Sequence, residues 1–569
     1  MDLTFSLEQE SAALREGRAG HQSAARVRRR ACQVDYDVVV VGAGVAGLYA
    51  LHKLREAGFS AKAFEKGDGI GGTWFWNRYP GARVDVQSCE YMFTKFPELE
   101  QEWDWTELMP RQEEIERYLN FVADRLDLRS GVQLETTVTA MSYDEATATW
   151  TVETSRGERV VSQFVVAATG CLSAPIEPAI EGLHSFAGDS LYTNRFPKDG
   201  YDFTGKRVAV IGTGSSGVQS IPVIAEQAAE LYVLQRSAAY TLPSPNRPLK
   251  AGELEALKAE YPEIRKAQWA SPIGSARFGA VFLGATELPN ILETPWDEQL
   301  QRVNKLGVIA ALGWADVTTN LEVNEAARKL YAEGVKRVVK DPQTAEDLVP
   351  HYPLGCKRMI IDQGYFETFN REHVHLVNVR RNPILSVTER GIHLAESHLD
   401  LDVIVYATGF DAMTGSLSRI DVRGRAARRL GDVWSETPKA YLGLAVAGFP
   451  NLFTVTGPGS PSVLTNMVTS IEHHVEWITE CLSHLRQHGC RTIEAMPDAQ
   501  DEWAEHVNGL AGIVQTDPSC NSWYLGANVP GKTRVYLPYA GGLPTYMERC
   551  AEIAAENYTG FAICAYEDG

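Results

Sequence analysis

Residues 36–41, YDVVVV, are an unbroken run of strand length, and the following "GAGVAGLYALHKL" switches to apolar positions three and four apart. Residues 207–211, RVAVI, followed by "GTGSSGVQSIPVI", repeat the same switch. A β-branched run without polar alternation predicts a strand buried on both faces, as in a parallel sheet. Two further runs, "VVSQFVVAATG" at 160–170 and "LDLDVIVYATGFD" at 399–411, end in the same Ala-Thr-Gly. The second glycine turn lies between them. The pattern therefore predicts an α/β protein with two Rossmann-like dinucleotide-binding domains, the second inserted in the first. The expected limits are 35–170 with 396–569 for the first and 171–395 for the second, after an N-terminal arm over 1–34. From about 249 to 349 the pattern turns helical and charged, as in "LEVNEAARKLYAEGVKRVV". This predicts an insertion of amphipathic helices covering a substrate channel.

Gly42, Gly44 and Gly47 satisfy G-x-G-x-x-G, and so do Gly212, Gly214 and Gly217. Such glycines permit a tight turn, close approach of backbone to pyrophosphate, and close helix packing, while the helix N-terminus faces the negative charge. After the first helix, "SAKAFEKG" places Glu65 at the end of a second strand, where its carboxylate suits both ribose hydroxyls. The same interval counted from Gly212 reaches Gln235, followed by Arg236 and Ser237. A guanidinium and a hydroxyl there suit a 2′-phosphate. The first pocket is thus expected to take FAD and the second NADPH.

The formal net charge of −19 over 569 residues disfavours nucleic acid. The one basic run, "ARVRRRAC" at 25–32, reads as a solvated arm. No apolar run reaches membrane-span length and no secretory leader is evident, so a soluble, cytoplasmic protein is expected. The nine cysteines have no C-x-x-C and no metal-type spacing, which suits free thiols in a reducing compartment and no metal. Only Cys89 follows the first unit closely, so a disulfide reductase is excluded. There is no G-x-S-x-G elbow, and the histidines, His473 and His474 among them, lack H-E-x-x-H spacing. Oxygen is the remaining electron acceptor.

The stretch "GIGGTWFWNRYPGARVDVQSCEY" at 69–91, with "PLGCKRMI" at 353–360, "GPGSPSVLTNM" at 457–467 and "SWYLGANVPGK" at 522–532, resembles the Baeyer–Villiger monooxygenases. The likeness is to their phenylacetone and steroid monooxygenase branch. It implies an FAD enzyme that uses NADPH and oxygen to convert a ketone into an ester or lactone, through a C4a-peroxyflavin and a tetrahedral Criegee adduct. By motif it implies flavin contacts from Glu65, Thr73, Trp74, Phe75, Trp76, Asp85, Tyr91, Val138 and Met467. It likewise implies NADP contacts from Arg83, Val84, Asp85, Thr213, Gly214, Ser215, Ser216, Gly217, Val218, Gln219, Arg236, Ser237, Lys357, Arg358 and Trp523. Val463, Leu464 and Met467 suggest an apolar substrate pocket.

Arg358 is the expected catalytic cation, because guanidinium keeps its charge and favours the nucleophilic peroxy anion over the electrophilic hydroperoxide. Asp85 is expected to orient it, and Lys357 to neutralise the NADP phosphate. One segment departs from the family pattern. In "FAGDSLYTNRFP" at 186–197, Phe186, Gly188 and Pro197 match the fingerprint, but Tyr192 stands for its histidine and Phe196 for its tryptophan. That departure leaves open a flavin-containing N- or S-monooxygenase acting through the hydroperoxide. A flavin-binding regulatory protein with idle chemistry is a third reading.

Overall fold

The structure, a computed structural model, describes residues 34–277, 288–512 and 517–565. The N-terminal arm with its basic run and Cys32, and part of the helical insertion, lie outside the described residues.

The β-branched runs lie where their pattern predicts. Strand Tyr36–Val41, with Val38, Val39 and Val40 fully buried, pairs in parallel with Ala61–Phe64 on one side and Arg159–Ala167 on the other. The sheet continues through antiparallel Thr149–Thr154 and Val138–Asp144 to Asp421–Arg423, and through Val132–Gln133 at the other edge. Leu452–Thr454 joins beside Arg159–Ala167, making eight strands. A second sheet of five parallel strands runs in the order Val374–Asn378, Glu230–Gln235, Arg207–Ile211, Val403–Tyr406 and Asp189–Tyr192.

The expected return to the first domain at 396 is corrected by this pairing. Strand Val403–Tyr406 belongs to the second sheet, and the chain rejoins the first only beyond Tyr406, through Asp421–Arg423 and Leu452–Thr454. The physical reason lies in the two Ala-Thr-Gly ends. A Cβ on Gly42 would lie 2.7 Å from the Ala168 oxygen, and one on Gly212 would lie 2.4 Å from the Ala407 oxygen. Each strand end is the packing partner of its own glycine turn, so the repeated tripeptide marks one feature of each unit and not the two seams between them.

The insertion is helical among the described residues, with helices Glu253–Ala270, Trp296–Leu306 and Leu321–Val338. Asn320 caps the last by accepting from the Glu322 and Val323 amides. A small core around the fully buried Trp314, with Val303, Ala327 and Leu330, holds the insertion together. Its two ends dock on different units. On Glu253–Ala270, buried Arg265 donates to Glu100 at 2.6 Å, and Gln268 donates to Thr469 at 2.8 Å. On Leu321–Val338, the Tyr331 hydroxyl accepts from the Thr241 amide at 2.7 Å. No helix of the described residues is long and apolar enough to cross a membrane.

Candidate active site

Both glycine turns open helices whose N-termini have no capping side chain: Val45–Glu56 behind Gly44 and Ser215–Ala225 behind Gly214. The first helical bonds run from the Leu48 amide to Gly44 and from the Val218 amide to Gly214. The N–H groups of residues 45–47 and 215–217 are thus outside the helical ladder and aimed at the turn, which is where an anion binds. A Cβ on Gly47 would sit 2.0 Å from the Gly42 oxygen and one on Gly217 2.1 Å from the Gly212 oxygen, so both are packing glycines. Gly214 differs, since a Cβ there meets nothing within 4 Å. Its bare face is free for a ligand backbone to approach. The residues therefore fit two dinucleotides.

Glu65 is buried at the end of its strand, accepting from the Ala43 amide at 2.9 Å and the Gly67 amide at 2.8 Å. Each carboxylate oxygen keeps a further lone pair for a ribose hydroxyl. Val138 is buried with Phe64, the residue before Glu65, in one apolar cluster. The glycine-rich stretch 69–72 folds over the first turn, with the Gly71 amide donating to the Ala43 oxygen at 3.0 Å. It leads into a single helical turn, Thr73–Trp76. Trp74 donates from Nε1 to the Tyr91 hydroxyl at 3.2 Å, Phe75 packs over Gly67 and Gly69, and Trp76 lies under the Lys66 ammonium at 4.7 Å.

At the second turn Thr213 donates to the Ser237 oxygen at 2.9 Å, and Gly214 and Ser215 are exposed. Val218, one turn further on, has its side chain fully buried and its amide bonded to Gly214. The buried Arg83 guanidinium turns to Glu107 at 3.1 Å and the Met109 oxygen at 3.3 Å, and its main chain turns to the second unit. That main chain accepts from Gln219 at 3.2 Å, while the Gln219 side-chain oxygen accepts from Tyr79 at 2.8 Å. Gln219 thus ties the second turn to the Tyr79–Arg83 bend. Val84 is buried beside it and meets its surroundings through the Pro110 oxygen at 3.3 Å.

Arg358 lies where the motifs converge. Its Nε and one terminal nitrogen both donate to Asp85 Oδ2, at 2.8 and 2.7 Å, and the other donates to the Val463 oxygen at 2.8 Å. The Asp85 carboxylate raises the guanidinium's affinity for its proton further, against the cost of burial. The Tyr524 phenol faces the same charge: burial pushes it up to about 12, partly offset by the Arg358 guanidinium. Sequence reasoning passed over Tyr524, although it adjoins Trp523 in a motif already singled out. Val463 is buried, while Leu464 and Met467 are half-buried beside it, Met467 opening helix Met467–Gln487 behind its cap Asn466. The loop that presents the Val463 oxygen is held in tension. Ser462 has φ +42° and Thr456 φ +59°, left-handed values that cost roughly 1–3 kcal/mol each for residues with a side chain.

Cys356 and Cys520 form a disulfide with Cα atoms 5.6 Å apart, which corrects the expectation of free thiols throughout. A sequence separation of 164 hid the pair. It ties the turn carrying Lys357 and Arg358 to the segment carrying half-buried Trp523 and Tyr524. Lys357, over the Tyr352 ring at 4.4 Å, has its pKa lowered to about 8 by burial and then by Arg236 and Arg380. The fingerprint departures lie apart from Arg358. Tyr192 stacks on Tyr406 with centroids 4.7 Å apart under the Arg195 guanidinium, and Phe196 is core. These aromatics brace an edge strand of the second sheet.

A profile of flavin-binding monooxygenase-like proteins matches residues 35–248. The chain is 40% identical to acetone monooxygenase (methyl acetate-forming) of Gordonia sp. strain TY-5, over 93% of this chain and 99% of that one. It is 37% identical to a Baeyer–Villiger monooxygenase of Pseudooceanicola batsensis, over 92% and 96%. Similarity at 35%, over 93% and 97%, extends to a phenazine N-monooxygenase of Lysobacter antibioticus. Among solved structures, an oxidised steroid monooxygenase bound to NADP superposes with a TM-score of 0.86 at 45% identity, over 94% of this chain and 100% of that one. With two bare-ended dinucleotide turns and a cleft arginine between them, the chain belongs to the flavoprotein monooxygenases of the Baeyer–Villiger type.

Proposed function

We propose that this enzyme uses FAD, NADPH and oxygen to insert one oxygen atom beside the carbonyl of an apolar ketone, giving an ester or lactone. The observation that carries the proposal is Arg358, fixed by Asp85 and by the main chain of Val463 in the segment that also carries Leu464 and Met467. When bound, the flavin takes hydride from NADPH and, with oxygen, supplies the atom that is inserted. Glu65 and the free amides of 45–47 are assigned to FAD, and Arg236, Ser237, Lys357 and the amides of 215–217 to NADP. Arg358 is assigned the negative charge that develops on the ketone oxygen, which a fixed cation stabilises without reorganising. Asp85 both aims the guanidinium and keeps it charged. Trp523, joined through the disulfide segment to the same turn, is assigned to retaining NADP and excluding water.

N- or S-oxidation is the second reading, favoured by the phenazine-oxidising relative. The aromatic fingerprint no longer supports it, because Tyr192 and Phe196 are spent on packing. The proposed setting is the cytoplasm, where full burial of Cys356 and Cys520 shields their bond from thiol exchange. The test supplies purified holoenzyme with NADPH, isotopically labelled oxygen and a mixed panel of ketones, amines and sulfides. An ester carrying one labelled oxygen is expected. Heteroatom oxides with no ester from any ketone would overturn the proposal.

A further inference from the structure

Strand Val403–Tyr406 ends against the second glycine turn, and the chain then crosses back to the first sheet alongside the stretch that brought it out. Pro175 and Phe410 pair antiparallel, the Asp411 amide donates to the Ala174 oxygen at 2.8 Å, and the Met413 amide donates to the Cys171 oxygen at 2.9 Å. The two covalent connections between the units therefore run as one paired strap, and a later segment grips it from outside. Asn528 donates to the Phe410 oxygen at 2.8 Å, and the Lys532 ammonium pairs with the Asp411 carboxylate.

The pair is enclosed, its side chains only 13% and 21% exposed. A Cβ on Gly415 would come within 2.5 Å of the Asp411 carboxyl carbon, so the carboxylate lies over a bare glycine. The Lys532 stem does the same at Gly526, φ +67°, where a Cβ would meet its Cδ at 3.4 Å. Gly526 closes the turn Trp523–Leu525 by donating to the Trp523 oxygen at 3.1 Å. One side chain thus lies along the turn that carries Trp523 and ends on the strap between the units. Exposed ion pairs contribute little, but removing one partner of an enclosed pair leaves a charge without its counter-ion. We propose that Lys532 is a positioning residue for Trp523: the disulfide holds one end of the segment to the turn of Arg358, and Lys532 holds the other end to the strap. The proposal rests on the assignment of Trp523 to retaining NADP.

The test measures, by calorimetry on the FAD-loaded enzyme, binding of NADP and of adenosine 2′,5′-bisphosphate, which lacks the nicotinamide half. Lys532→Met is expected to weaken NADP about tenfold, within the range of coupling between sites, and to leave the bisphosphate within about twofold. Asp411→Asn should reproduce that loss, and the Lys532→Met, Asp411→Asn double variant should lose no more than either single one, because all three break the same pair. In a Trp523→Ala background Lys532→Met should add nothing. Flavin content and melting temperature check folding. An unchanged ratio of the two affinities in Lys532→Met, whatever its melting temperature, would overturn the role, as would a full further loss in the Trp523→Ala background. Trp523→Ala binding NADP like the wild type would overturn the reading of Trp523 itself, and the Lys532 role with it.

Discussion

Replacing Arg358 by alanine removes the one cation fixed between Asp85 and Val463. A unit charge about 4 Å from a guanidinium gains roughly 4 kcal/mol at an effective dielectric constant near 20. The Arg358 side chain is 37% exposed, and only part of a unit charge develops on the substrate oxygen, so about 2–3 kcal/mol is the reasonable share. That is a loss of about 100-fold in ester formation, in the range found on removing one oxyanion donor. The assay measures ester, hydrogen peroxide and NADPH consumed in the same sample. Arg358→Ala is expected to divert consumed NADPH to peroxide. The variant also orphans Asp85, whose charge would repel the developing anion, so the Asp85→Ala, Arg358→Ala double variant separates the two effects. If the double variant regained most of the ester yield, the arginine would be serving mainly to neutralise Asp85. Wild-type ester per NADPH in the single variant would refute the reasoning outright.

Burial and the neighbouring arginines lower the Lys357 pKa to about 8, and a bound phosphate must raise it. NADP binding above pH 8 should therefore take up a proton, measured by calorimetry in buffers of different ionisation heat, and Lys357→Met should abolish the uptake. Gly214→Ala, with open space around its Cβ, should hold the melting temperature while weakening adenosine 2′,5′-bisphosphate; Gly217→Ala, 2.1 Å from the Gly212 oxygen, should lower melting by roughly 5 °C. Cys520→Ser should lower stability by at most about 5 kcal/mol, the chain-entropy value for a 164-residue loop. It should also raise the peroxide share as Trp523 loses its tether; unchanged melting would mean the bond adds nothing to the fold.

Local chemistry was legible in the chain and long-range chemistry was not. Strand, turn and helix at Gly42 and Gly212 follow from neighbours, and the contrast of Glu65 with Arg236 follows from a fixed interval along one βαβ unit. The placing of Asp85 beside Arg358, 273 residues apart, came only from resemblance, since no pattern within either motif encodes the other. The inward face of the second helix was legible too: Val218, Ile221, Ile224 and Ala225 recur at helical spacing, which marks a buried face. The Lys532–Asp411 pair and the disulfide depend on which strands and loops become neighbours, and the boundary at 396 failed for the same reason.

Gly81, φ +80°, touches the second unit main chain to main chain, where a Cβ would come within 2.3 Å of the Gln219 oxygen. Here the two nucleotide units meet like the halves of a hinge with no washer between them. Any Cβ there would have to displace the Gln219 main chain, and the left-handed φ would strain a residue with a side chain besides. Position 81 therefore sets how closely the Tyr79–Arg83 bend can lie against the helix that carries Gln219.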